Sequence, residues 1–422
     1  MARAALVFLL CLPALLGLGL VPAWAGGEIV LGAPTSLQSR EGTDSLHAAA
    51  LAVEEINAAG GVRMGGRWLR LKLAPFDLND VAPGVEPAQA VARLRGFIER
   101  VRPQALLIGP FRSEALLEAM DLLAEKRLPS LFSIAMSPAV DAKVLSNAKY
   151  RYIFRVGLST RYLAVYLIET MKLLKADFGF DRVYILNQDV AWARSTASLM
   201  IRLHFDRAGW RVLGQENLPA GAEDYGPALE RAAERGAQVI LAIFDTPSSA
   251  DLVRLWHDRK PPALLCGFIS PAAGPDAWPA LGGRLAGLVN VIFELGNLPS
   301  VKHPAAETFF RAFQARYGRT VQAGHGPAPA YESVNILARA LERAGTTDPE
   351  RLVAALEATD RQGVMGRARF HRGHQVIFGQ DPGEEALACV VQWTNSGRRK
   401  IIYPQPIAEG SLGLPAFVKP AR

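Results

Sequence analysis

From Glu28 to about Phe268, short apolar runs alternate with longer amphipathic ones. Ile29 to Ala33, Leu69 to Pro75, Ala105 to Gly109 and Pro129 to Ser133 read as strands, and the segments between them as helices. In the stretch from Leu46 to Ala59, the residues Leu46, Ala50, Val53 and Ile56 recur at roughly helical spacing. Thr43 or Asp44 is placed to cap its first N–H groups, and Gly60-Gly61 supplies a left-handed stop. A second helix, Glu114 to Lys126, sets Leu116, Met120 and Leu123 on one face, with Ser113 at its cap position.

The rhythm repeats over 160–268. Helices are expected at Arg161 to Asp177, Ala191 to Ala208, Tyr225 to Arg235 and Ser248 to Arg259, and strands at Arg182 to Asn187, Arg211 to Glu216, Gln238 to Phe244 and Ala263 to Gly267. Such alternation builds parallel βαβ units, and two successive series predict two doubly wound α/β lobes. After Val289 the pattern changes to helices at Pro304 to Tyr317, Pro329 to Ala344 and Pro349 to Thr359, the last with Asp348 as its cap. Strands then follow at Gly366 to Phe370 and Leu387 to Trp393, and the Gly- and Pro-rich end from Gly410 is expected to run along the surface or fray.

Composition changes this picture at the amino terminus. Arg3, an apolar core from Leu6 to Leu20 and the small-x-small site Ala23-Trp24-Ala25 read as a cleaved secretory signal, which predicts an exported, periplasmic protein. Pro13 and Pro22 break the apolar run, and no charged stop-transfer cluster follows it, which argues against a membrane anchor. Cys11 follows Leu9-Leu10 rather than a small residue, which argues against a lipoprotein. The remaining 397 of the 422 residues exceed what one core usually serves. They carry 46 of the 47 basic residues against 40 acidic ones, without blocks of like charge, so nucleic acid is a poor partner. Cys266 and Cys389 lie outside any CxxC pattern, so zinc is not expected, and spacing leaves open whether they form one disulfide.

No G-x-S-x-G elbow, HExxH pair or Gly-rich phosphate loop is present, so neither catalysis nor a cofactor is expected. His371 and His374 flank Gly373 in an expected hairpin, where solvent exposure is the ordinary explanation.

At LAVEEINAAGGV (51–62), LRLKLAPFDLND (69–80) and LLIGPFRSEAL (106–116), the sequence resembles the periplasmic leucine/isoleucine/valine-binding proteins of ABC transporters. The likeness continues through YIFRVGLS (152–159) to FHRGH (370–374) and VVQW (390–393), and rests on the order and spacing of all these segments. The resemblance implies two α/β lobes joined by a three-strand hinge, the type I periplasmic-binding-protein fold. Lobe I is expected at 26–156 and 294–345, lobe II at 157–293 and 346–405, and a tail at 406–422. It also implies a monomer that closes on a small-molecule ligand and delivers it to a membrane permease.

The family's carboxylate-binding serine, four residues after a strand-end glycine, corresponds to Ser113 after Gly109; a helix cap is the alternative role. Arg112 beside it is either a bidentate partner for a ligand carboxylate or a solvated loop arginine. In LPSLFSIAMSPAV (128–140), the family's threonine corresponds to Met136 and its backbone-carbonyl contact to Ile134, with Ala135 between them. A thioether cannot replace a hydroxyl, but it packs against an apolar ligand. Trp192 stands where the family has a tyrosine, to wall the ligand and offer one N–H. A strand-end contact falls at Asp245 or Thr246, each of which can instead cap the next helix.

The family's carboxylate for the ligand's ammonium falls at about Ile269, which cannot balance that charge. Glu41, in the loop after the first strand, or Asp245 is then the remaining candidate for compensation. The expected ligand is therefore a small, partly apolar carboxylate poor in amines, with branched-chain or aromatic amino acids as the alternative. A ligand-sensing module of a signalling system is the competing role.

Overall fold

The computed structural model describes residues 27–421, so the leader read at 1–25 lies outside the described residues. The first lobe is built from β1 (Glu28–Thr35), α1 (Arg40–Ala58), β2 (Val62–Met64), β3 (Arg67–Asp77), α2 (Pro87–Val101), β4 (Ala105–Ile108), α3 (Ser113–Glu125), β5 (Ser130–Phe132), α4 (Ala139–Ser146) and β6 (Ile153–Arg155). Its sheet has the order β2-β3-β1-β4-β5-β6, parallel except for the short β2 hairpinned onto β3.

The second lobe follows with α5 (Thr160–Phe178), β7 (Arg182–Gln188), α6 (Ala191–Met200), β8 (Arg211–Leu218), α7 (Gly226–Glu234), β9 (Val239–Phe244), α8 (Ala250–Arg259), β10 (Leu264–Ile269), α9 (Ala277–Ala280) and β11 (Val289–Ile292). The chain returns to the first lobe for α10 (Pro304–Tyr317), α11 (Pro327–Ala344), α12 (Pro349–Glu357) and the hairpin β12 (Asp360–Gly363) and β13 (Gly366–Arg369). It ends with β14 (Cys389–Trp393) and β15 (Arg399–Tyr403), which extend the second sheet as β15-β14-β11-β10-β9-β7-β8. The α/β architecture expected from the periodicity is thus present in both lobes, and three connections pass between them.

Several expectations need correction. The first helix starts at Arg40 rather than Leu46, and Ser39 caps it by accepting the Gly42 N–H at 2.9 Å. Thr43 instead donates to the Leu37 carbonyl, and buried Asp44 accepts the Gln322 and Ala323 N–H groups and pairs with Arg319. The expected lobe II segment 346–405 does not hold together either. Leu352, Val353 and Leu356 of α12 are buried in the main core, Arg343 of α11 donates to the Ala355 carbonyl, and Arg361 of β12 pairs with Glu332 of α11.

His374 is buried rather than solvated, stacked on Phe154 with ring centroids 4.1 Å apart. The carboxyl-terminal stretch does not fray: Leu412 and Val418 are buried, Phe417 packs on Trp256, and the Ala421 N–H donates to the Phe178 carbonyl. Cys266 on β10 and Cys389 on β14 are free thiols with β11 between their strands, and burial raises both pKa values far above the ordinary thiol range.

Asp348 caps α12 as the sequence predicts, accepting the Arg351 N–H at 3.0 Å. At Gly109 the chain turns out of β4 with φ +83°, and a side chain there would run into the Phe132 ring, so this strand end requires glycine.

Candidate functional site

The carboxyl ends of the parallel strands in the two sheets face each other, and the residues just beyond them meet around a narrow cavity. Such strand ends are where doubly wound sheets gather ligands. The room open inside it is about 20 Å³, enough for a single water, so a ligand has to part the walls to enter.

The first lobe contributes Glu41 from the first turn of α1, Phe111 from the loop after β4, and Ile134 and Met136 from the loop after β5. The second contributes Trp192 at the start of α6, Asp245 after β9 and Phe268 on β10. Phe293 and His325 come from the connections that follow β11 and precede α11. The walls are aromatic: Phe268 and Phe293 lie 4.0 Å apart between centroids, and Trp192 meets both edge-on at 6.0 and 6.4 Å.

Of the residues selected from the sequence, Glu41, Ile134, Met136, Trp192 and Asp245 reach the wall. Ser113 stands behind it and does not cap its own helix: its Oγ accepts the Met136 and Ser137 N–H groups at 3.2 and 3.1 Å. The N-cap of α3 is Arg112, whose N–H donates to Asp80 at 2.8 Å. Ala135 is buried in first-lobe packing. Thr246 donates to the Ala220 carbonyl, and Ile269 is buried in the second lobe with its N–H on Asn290.

Neither acidic wall residue is free to compensate for Ile269. Ser270, one position further along, crosses the cleft and donates to the Glu41 carboxyl. Burial pushes the Glu41 pKa above the usual carboxylate range, only partly offset by that hydrogen bond. Asp245 receives Arg112 Nη1 at 2.9 Å and the Trp192 indole N–H at 2.8 Å on one oxygen, and Gln188 Nε2 at 2.8 Å on the other. The indole N–H expected to face the ligand is therefore engaged, and Arg112 is an interlobe partner rather than a solvated loop residue.

His325, Phe111, Phe268 and Phe293 were not selected from the sequence. His325 faces two acceptors, Glu294 Oε1 at 2.8 Å from Nδ1 and the Ile134 carbonyl at 2.6 Å from Nε2, so both ring nitrogens carry protons. Burial alone works against that charge, but Glu294 and the Ile134 carbonyl outweigh it and raise the His325 pKa. The Ile134 carbonyl is thus taken up by a protein donor. Glu294 also accepts the Leu158, Asn297 and Gly326 donors, gathering two interlobe connections around one carboxylate.

Two α/β lobes with opposed strand ends and an apolar cavity between them define a bilobal ligand-binding protein. Residues 30–394 match the family described as periplasmic binding protein, and the chain belongs to it. A curated relative, the leucine-, isoleucine-, valine-, threonine-, and alanine-binding protein of Pseudomonas aeruginosa, is 24% identical over 349 residues, spanning 81% of this chain and 85% of that one. An ABC transporter substrate-binding protein from Sphaerobacter thermophilus shares the fold with a TM-score of 0.69 at 23% identity, covering 91% of this chain and 99% of that one. A solute-binding protein of an ABC transporter from R. palustris, solved with benzoate, gives 0.71 at 14% identity, over 93% and 99% of the two chains.

Proposed function

We propose that this protein is the extracytoplasmic solute-binding component of an ABC importer, and that its solute is a small aromatic or similarly apolar carboxylic acid without an ammonium group. The observation that carries the ligand class is an aromatic-walled cavity whose two wall carboxylates are already engaged, Glu41 by Ser270 and Asp245 by Arg112, Trp192 and Gln188. An incoming ammonium finds no unpaired carboxylate there, and burying it unpaired is costly. An apolar ring finds Phe111, Trp192, Phe268 and Phe293. The benzoate complex of the R. palustris neighbour supports this reading; the name of the P. aeruginosa relative points to amino acids instead.

Export through the leader, action as a monomer and delivery to a membrane permease complete the proposal. Members of such a family bind and release solute, so the ligand leaves chemically unchanged.

A thermal-shift screen of the mature chain tests it. Benzoate, 4-hydroxybenzoate and 3-phenylpropionate are expected to raise the melting temperature, since a ligand at 100 times its Kd adds about 2.7 kcal/mol to folding stability. Strong stabilisation by leucine or phenylalanine, with the acids inert, overturns the amine-poor assignment. Recovery of a modified compound by mass spectrometry overturns binding without turnover.

A further inference from the structure

We propose that Arg112 is a specificity residue: it occupies Asp245 as a built-in counter-cation, in the place where a ligand's ammonium would have to sit, and so turns the cleft against amines. The inference rests on the amine-poor reading of the same site and names the residue that enforces it.

The two residues come from opposite lobes. Arg112 begins α3 beyond β4, and Asp245 follows β9. Their side chains are 20% and 9% exposed, so the 2.9 Å contact is shielded rather than a solvated surface pair. The guanidinium also lies over the Phe111 ring, 5.3 Å from its centroid. Asp245 is held from behind by two neutral donors, the Trp192 indole and the Gln188 amide, which orient it but carry no charge.

Arg112 is therefore its only cationic hydrogen-bond partner among the described residues. Without the guanidinium, a carboxylate remains on the wall of an aromatic cavity, beside Phe111 and Trp192, with its charge unbalanced. That is the environment in which a ligand ammonium gains both an ion pair and aromatic faces. The other cation at the cavity, His325, cannot take over this role, because both its nitrogens are committed to Glu294 and Ile134.

The test compares two probes that differ only by the ammonium, 3-phenylpropionate and L-phenylalanine, by calorimetric titration of the full mature chain. Arg112→Met is expected to gain at least about tenfold in affinity for L-phenylalanine over the wild type, the low end for a close charge pair. Arg112→Lys, which keeps a cation, gains nothing, and adding Asp245→Asn to Arg112→Met abolishes the gain. Arg112→Gln carries the same expectation as the methionine variant and decides the matter if that variant folds poorly.

No gain in folded Arg112→Met and Arg112→Gln, or a gain that survives Asp245→Asn, overturns the proposal. Because the readout is the change between wild type and variant, it is separable from the ligand assignment. A wild type that already prefers L-phenylalanine sinks the amine-poor reading, whereas an unchanged variant sinks only the role of Arg112.

Discussion

At the scale of single residues, the site holds two buried ionisable groups whose environments push in the same direction. His325 and Glu41 both have folded pKa values above their ordinary ones, His325 through Glu294 and the Ile134 carbonyl against the opposing effect of burial, and Glu41 through burial itself. A raised folded value means that the group favours folding below its unfolded pKa and that this contribution is lost as pH climbs through the folded value. For Glu41 the loss begins at the ordinary carboxylate value, where the unfolded chain ionises, and is complete only above the raised folded value. Glu41→Gln keeps the acceptor for Ser270 without an ionisable proton, so it is expected to raise the melting temperature at pH 8 and to leave it nearly unchanged at pH 4, as differential scanning calorimetry can check. His325→Ala leaves Glu294 buried without its cation and is expected to cost about 3–5 kcal/mol in chemical denaturation. Combining it with Glu294→Gln should cost clearly less than the sum of the single changes.

At the scale of elements, the loop after β5 shows how the chain fixes a wall residue. Its backbone is fastened by Ser113 Oγ on the Met136 and Ser137 N–H groups, by His325 on the Ile134 carbonyl, by Arg155 on the Ser137 carbonyl at 2.6 Å, and by the Thr160 N–H on the Met136 carbonyl. Ser113→Ala leaves two buried N–H groups without an acceptor. It is expected to lower stability by about 1–3 kcal/mol and to weaken ligand binding through a displaced Met136, both measurable on the purified variant.

The same loop shows what a one-dimensional pattern can reveal. The periodicity located β5 and α3 because their apolar spacing reports burial. It missed the first turn of α1, where Glu41 and Asp44 are buried polar residues turned toward the cleft and the α10–α11 loop. Phe268 was invisible for the opposite reason: every residue of β10 is buried, so no alternation marks the one that faces the cavity. His325 lies between two glycines just ahead of α11, and the Gly-His-Gly stretch was the one local sign available. Ile269 and Ser270 illustrate a register limit, since the aligned position was adjacent to the residue that crosses the cleft.

At the scale of the whole molecule, the lobes are joined by their own side chains as well as by three connections. Arg112 with Asp245 and Glu41 with Ser270 close the cleft around the cavity, while Glu114 accepts the Ala191 N–H at 3.1 Å and Arg40 meets Asp276 at 3.0 Å further out. The outer pair is exposed and screened by salt, so the inner contacts dominate.

The free cysteines give the two halves different chemical signatures. Cys266 and Cys389 are fully buried in the second sheet, and the first sheet contains none. Among the described residues no disulfide has to form, and a thiol reagent added to the protein acts as a clock for one lobe only. Alkylation is expected to track opening of the second lobe, while the first can melt and re-form without registering.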